Sequence, residues 1–347
     1  MGNIQFLLEL IFAGVCVGSV YSLVAHGFNM TFWSSKVLNF GHGPFIMFCS
    51  MLILSFLNMG ISWAVAIVFG LICISLLGII LERVSIRPLI KYPSSMGWVV
   101  STLGTGLFLQ ALASKIWGSQ AIAYPAFLFT STDYVPLLSV KLSSQYLLVL
   151  FAALFIMLFM EMVMHKTIWG KAMKAVSYDP TLARIMGIKS KLVITYSFIL
   201  SAILAGIAGF LIAPIYGTVS PDFGMNIMVL GFVATVLGGV GSSKGALIGG
   251  ILVGVIEKTG WGVSVQFRRA RGCLCYFDPH SRDKARRLVR VQGGAESMTT
   301  MSMKKGVQPV LTMILVLLVA AAPLFMSPSN VQLFIFLGNQ YFVSAKH

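Results

Sequence analysis

Charge is the scarcest feature of this sequence: Asp, Glu, Lys and Arg make up 10% of its 347 residues, against about 25% in a soluble domain. With 57% hydrophobic residues and a mean hydropathy of +0.90, a water-soluble fold is excluded. Acidic residues number only 10 and are scattered, so no set of carboxylates suggests a catalytic centre. No His or Cys cluster has metal-ligand spacing, and no glycine loop ends in the Gly-Lys-Ser/Thr that cradles phosphate. The chain therefore has no catalytic residue, metal site or cofactor site of its own and does not read as an enzyme. The 5 cysteines make no evenly spaced extracellular framework: Cys16, Cys49 and Cys73 sit in apolar runs as buried thiols, and Cys273 and Cys275 form a lone C-x-C.

Apolar runs and glycine are what the chain has in abundance. Stretches on the scale of a bilayer crossing, about 20 residues each, recur along its length, which excludes a secreted protein with a single cleaved leader. They lie at about 4 to 30, 45 to 58, 61 to 81, 97 to 113, 145 to 164 and 192 to 215, then 231 to 241 and 245 to 256. Asn58-Met59-Gly60 leaves room for a tight turn alone, so the second and third runs predict antiparallel neighbours. The net charge of +15 comes from basic residues in the gaps: Arg83, Arg87 and Lys91, then Lys166, Lys171, Lys174, Arg184, Lys189 and Lys191. Short cytoplasmic loops hold such an excess, so the charge reports topology and not a nucleic-acid partner. Two crossings separate the two basic loops and put both on one side; the charge-poor loop at about 115 to 144, with Pro125 and Pro136, falls outside. Counting back places the N-terminus outside, provided the bend near 31 to 44 completes a turn on the cytoplasmic side. The expected fold class is all-α, a polytopic transmembrane helix bundle of about eight or nine membrane segments, including broken helices.

Two segments interrupt the apolar pattern in similar ways. One is Asn39-Phe40-Gly41-His42-Gly43-Pro44; the other is Gly238-Gly239-Val240-Gly241-Ser242-Ser243-Lys244-Gly245. Paired glycine-interrupted segments point to an inverted repeat around a translocation pathway, and Asn39, Gly41, His42, Gly43, Gly238, Gly239, Gly241 and Ser242 are its candidate residues. Glycines also serve close helix packing, and His42 fits either a polar pathway group or a histidine satisfied by a backbone carbonyl. In the second basic loop, Asp179 can cap a short helix that Pro180 opens and Gly187 ends. Leu182, Ile185 and Met186 then form one apolar stripe, which either packs on the bundle or docks into a partner.

Four stretches together resemble the permease subunits of branched-chain amino acid ABC importers, the Liv type. They are Val37 to Gly43, Glu82-Arg83-x3-Arg87-Pro88, Asp179-Pro180-x2-Ala183-x3-Gly187-Ile188, and Val236 to Ser242 with Gly245 to Gly250; the similarity covers about residues 3 to 260. The resemblance implies the ABC importer permease fold in a bacterial inner membrane, and a second permease subunit forming a heterodimer. It also implies ATP-binding subunits, an extracytoplasmic solute-binding protein and an amino acid substrate. By the same analogy the helix at 179 to 188 couples to the ATPase through Asp179, Pro180, Ala183, Arg184, Gly187 and Ile188. Related permeases import urea, short amides or sugars. A stand-alone secondary carrier is the competing class; it commonly carries ionisable residues in the membrane, for which Glu9 and Glu161 near helix ends are the candidates.

The chain departs from that pattern after about Trp261. Residues 1–260 read as the permease domain. Residues 261–306 read as a basic atypical loop, with Arg268-Arg269, Arg271 and Arg286-Arg287, where a disrupted coding frame is one expectation and a genuine cytoplasmic loop the other. Residues 307–347 form an extra apolar segment resembling the start of a partner permease.

Overall fold

The computed structural model describes residues 2–89, 97–127, 134–137 and 140–275. Lys91, the basic stretch beyond 275 and the apolar segment 307–347 lie outside the described residues. Among those described, five helices are long and apolar enough to cross a membrane. They are α1 (Gly2–Ser35), α3 (Trp63–Leu81), α4 (Gly97–Trp117), α5 (Ser144–Lys166) and α8 (Ser190–Tyr216). Two shorter apolar helices, α2 (His42–Asn58) and α9 (Phe223–Gly238), join them, with α10 (Ser243–Cys275) last and α6 (Ile168–Tyr178) and α7 (Pro180–Ile185) in the second basic loop. The all-α class holds apart from two small antiparallel ladders. β1 (Ile122–Ala123) pairs with β4 (Thr218–Val219), and β2 (Tyr134–Leu137) with β3 (Val140–Ser143).

Burial separates centre from periphery. Along its apolar stretch α8 is 67% buried and α1 56%, but α3, α4 and α5 only 22–28%. The outer three present Val68, Phe69, Ile72, Leu76, Phe108, Ile116, Phe151 and Phe155, apolar side chains whose exposure suits a lipid surface. On the inner two, Val17, Tyr21, Val24, Phe28, Phe198, Ala205 and Ala208 form the core.

Glycine sets how closely the central helices approach. On α1, a Cβ at Gly14 would stand 2.6 Å from Val255 Cα, and one at Gly18 would stand 2.7 Å from the Gly250 carbonyl oxygen. On α10, Gly250 and Gly254 abut Ser22 and Gly18 in return, so two small-xxx-small faces cross backbone to backbone. The α2–α3 turn is as tight as Asn58-Met59-Gly60 predicts, with Gly60 at φ +80°.

One boundary agrees with expectation and one differs. The run expected to end at about 215 becomes α8, which passes through Pro214 to Tyr216 and ends at Gly217 in the left-handed conformation, φ +68°. Pro214 forgoes one i→i−4 hydrogen bond near the helix end, and the positive φ that stops the helix is what glycine supplies. The helix expected from Gly231 begins earlier, at Phe223, because Gly224 lets its first turn rest directly on the Gly43 carbonyl.

Candidate functional site

The basic face of the bundle is organised around α7. Asp179 Oδ1 accepts hydrogen bonds from the backbone N–H groups of Thr181 at 2.7 Å and Leu182 at 3.1 Å, and Pro180 takes the first helical position. The helix stops at Gly187, φ +82°, where Gly187 N–H donates to the Arg184 carbonyl and Ile188 N–H to that of Ala183, a Schellman closure. Ala183 alone is buried against the bundle; Leu182, Ile185 and Met186 are 60%, 77% and 82% exposed, and Arg184 is exposed beside them. Those fractions count against the stripe packing on its own bundle, since the apolar residues face away from their own chain. Next to α7, Ile168, Trp169, Ala172, Ile188, Leu192 and Val193 line an open apolar groove.

Behind α7 a polar chain leads into the membrane helices. Ser190, the first residue of α8, donates from Oγ to the Pro180 carbonyl at 3.2 Å. One turn on, Thr195 Oγ1 reaches Glu82 Oε2 at 3.2 Å, and Glu82 Oε1 pairs with Arg87 Nε at 3.2 Å. Glu82 is 1% exposed and opens a π turn (Glu82–Ile86) at the end of α3, closed by Arg87 N–H on the Glu82 carbonyl at 2.7 Å. A buried carboxylate needs such a partner. The turn is tied to α4 as well, through Ser101 Oγ on the Ser85 carbonyl at 3.1 Å and the paired hydroxyls of Ser85 and Thr105.

The glycine interruptions occupy two different settings. Asn39 Oδ1 accepts from Gly41 N–H at 2.9 Å and turns the chain into α2, with Asn39, Gly41, His42 and Gly43 all buried. His42 Nδ1 lies 3.2 Å from Ser201 Oγ and the ring stacks on Phe28 at 5.1 Å, so a serine hydroxyl takes the place of the expected backbone carbonyl. Gly27 leaves the space that the ring fills, for a Cβ there would be 2.5 Å from His42 Cε1. Ser201 stands about 16 Å along α8 from Ser190 at 1.5 Å per residue. The short helix α2 therefore begins deep in the bundle. There Gly43 meets Gly224, the start of α9, and the two short helices abut N-terminus to N-terminus.

Gly238, Gly239, Gly241 and Ser242 instead make the α9–α10 turn. Gly239 and Gly241 take φ +87° and +90°, and Gly238 and Gly245 touch backbone to backbone. Asn29 of α1 clamps this turn with both ends of its amide, accepting from Gly241 N–H at 2.7 Å and donating to the Ser242 carbonyl at 3.1 Å. Trp33 Nε1 adds a bond to the Gly241 carbonyl at 2.8 Å. Neighbouring positions of α1, Gly27 and Asn29, thus hold the two interruptions, and the partner facing Gly43 is Gly224.

Sequence reasoning missed Asn29, Trp33, Thr195 and Ser201. Their periodicity gives no cue, although a lone Asn in the apolar first run was a signal, since a polar side chain inside a bundle needs a partner. Among the described residues no three His, Cys, Asp or Glu side chains could hold a metal ion.

Residues 10–274 match the family model described as the permease component of branched-chain amino acid transport systems, a match that runs past residue 260. The LivH permease of the high-affinity branched-chain amino acid transport system of Salmonella typhimurium is 33% identical over 267 residues, covering 73% of this chain and 86% of the relative. BraD, the corresponding permease of Pseudomonas aeruginosa, is 28% identical over 274 residues, covering 75% and 88%. A probable LivH of Methanocaldococcus jannaschii is 29% identical over 245 residues, covering 68% and 75%. The chain therefore belongs to the family of permease components of branched-chain amino acid transport systems.

Proposed function

We propose that this chain is the membrane-spanning permease subunit of an ATP-driven ABC importer that translocates branched-chain amino acids across the bacterial inner membrane. The family match over residues 10–274 carries the substrate class. In this reading α7 is the coupling helix. Leu182, Ile185 and Met186 enter a groove on an ATP-binding subunit, while Asp179, Pro180, Ala183, Arg184, Gly187 and Ile188 fix the helix's shape and approach. A second permease subunit completes the channel as a heterodimer, and an extracytoplasmic binding protein selects the solute. ATP is hydrolysed in the partner subunits.

The bundle has eight or nine membrane segments, about 20 residues for each full crossing, with α2 and α9 as the broken ones. An inverted repeat relates its halves. The abutting starts of α2 and α9 support that symmetry, since discontinuous helices meeting within a bundle are its usual mark. The translocation route passes the Asn39, Gly41, His42 and Gly43 interruption and the turn of Gly238, Gly239, Gly241 and Ser242, where backbone can repack without side-chain obstruction.

The test is the complete importer in proteoliposomes. Gly187→Val and Asp179→Lys should each lower solute-stimulated ATP hydrolysis several-fold while membrane insertion and subunit assembly persist. Full stimulation in both variants would remove α7 from the coupling role.

A further inference from the structure

One polar cluster lies at the end of the bundle away from α7. Glu257 and Lys258, near the middle of α10, hold Oε1 and Nζ 3.5 Å apart. Tyr21 of α1, fully buried, donates its phenol hydrogen to Glu257 Oε2 at 2.7 Å. Tyr216, the last residue of α8, has its hydroxyl 3.5 Å from that of Tyr21 and its ring 5.3 Å from Lys258 Nζ. Tyr146, in the first turn of α5, is within electrostatic range of both charges. The apolar run on α10 stops at Ile256, so sequence alone sets this pair beyond the membrane; the continuous helix and its contacts with α1 and α8 bring it into the bundle.

The charges are poor structural partners for one another. Adjacent residues on a helix do not face each other, and their 3.5 Å separation leaves the Lys258 ammonium with unused donors. Both side chains keep about a fifth of their surface open, 22% for Lys258 and 20% for Glu257. Charged side chains in a membrane bundle turn from lipid towards a polar route or a partner. The cluster thus offers a carboxylate, an ammonium, an aromatic face and phenol hydroxyls on rigid helices, with opposite charges side by side. An α-amino acid carries an ammonium and a carboxylate on one carbon, the same juxtaposition with signs exchanged.

We propose that Glu257, Lys258, Tyr21 and Tyr216 form a transit site that binds the zwitterionic head of an α-amino acid. The substrate ammonium sits on Glu257 and the Tyr216 ring, and its carboxylate on Lys258 and the Tyr216 hydroxyl. The site recognises the feature common to all α-amino acids and leaves side-chain selection to other surfaces. Passage also requires binding weak enough for the substrate to leave, and a site with one protein carboxylate and one ammonium, each partly open, meets that need. The proposal rests on the permease reading above.

The experiment uses the complete importer in proteoliposomes, with radiolabelled leucine uptake and ATP hydrolysis measured together. Glu257→Gln and Lys258→Met should each lower leucine moved per ATP by about tenfold, the worth of one charge-assisted contact, while hydrolysis triggered by the loaded binding protein persists. Tyr216→Leu, at a half-exposed position, should lower the same ratio several-fold and serves if either charge variant fails to assemble. A wild-type ratio in the variants that assemble, or a loss of assembly in all three, overturns the site. Absence of leucine uptake by the unmutated importer would instead refute the permease reading.

Discussion

At the scale of single residues, the positions that matter most are polar side chains inside an apolar bundle, each held by a partner far away in sequence. Asn29 is the plainest case, because one amide satisfies an N–H and a C=O of a turn more than 200 positions downstream. Asn29→Ala should destabilise the protein by about 1 kcal/mol, the net worth of hydrogen bonds to a partly exposed turn. Hydrogen exchange at Gly239 to Ser242 should rise selectively, and unchanged protection there would show that the clamp is dispensable. Glu82 is a second case, its carboxylate being shared between Arg87 and Thr195. Removing the guanidinium with Arg87→Ala strands that carboxylate, and thermal unfolding in detergent should report a loss of about 1–3 kcal/mol. Glu82→Gln, which keeps an acceptor and removes the buried charge, should lose less. Equal losses from the two would show that charge plays no part.

At the scale of elements, glycine does two separate jobs, and the surrounding contacts tell them apart. In α7 the left-handed Gly187 ends the helix, so a β-branched replacement costs about 1–2 kcal/mol of local strain and splays Ile188 from Ala183. In α1 and α10, by contrast, Gly14, Gly18, Gly250 and Gly254 have ordinary helical conformations and matter because backbone lies where a Cβ would be. Gly18→Leu should therefore force α1 and α10 apart and lower the melting temperature of the purified protein. Gly104→Ala, on α4 where a Cβ would meet nothing within 4 Å, should be neutral or stabilising by up to about 1 kcal/mol. Similar melting temperatures for the two variants would contradict the packing account. The glycines were visible in the sequence as a density, but which of them serve a turn and which serve a crossing was not, because composition does not say what stands opposite.

At the scale of the molecule, the basic loops gather on one face. Lys36 reaches Ser177 at 2.7 Å, which puts the α1–α2 bend beside α6, and the Glu82–Thr195 bond brings the end of α3 to the start of α8. The condition on which an outside N-terminus depends, a bend on the basic side, is met in the fold. A cysteine at Met186 in a cysteine-free background should therefore react with an impermeant maleimide only from the cytoplasmic side. One at Ser119, exposed beyond α4, should react only from outside. Labelling of both from one side would reverse or break the topology.

The sequence by itself determined the membrane-spanning class, the tight α2–α3 turn, the basic face, and the α7 helix with its cap and glycine stop. Those features depend on hydropathy, charge and local hydrogen bonding within a few residues, which a linear reading can follow. Only the tertiary structure decided that Gly43 faces Gly224, that Ser201 partners His42, that Asn29 grips the α9–α10 turn, and that Glu257 and Lys258 lie among tyrosines of α1, α5 and α8. Each of these joins positions roughly 160 or more apart, apart from the nearer reaches to Tyr146 on α5 and Tyr216 on α8, and in lipid every apolar face packs equally well in the abstract. Helix depth and rotation are set by backbone contact between particular small residues, and no periodicity in the chain records which ones meet.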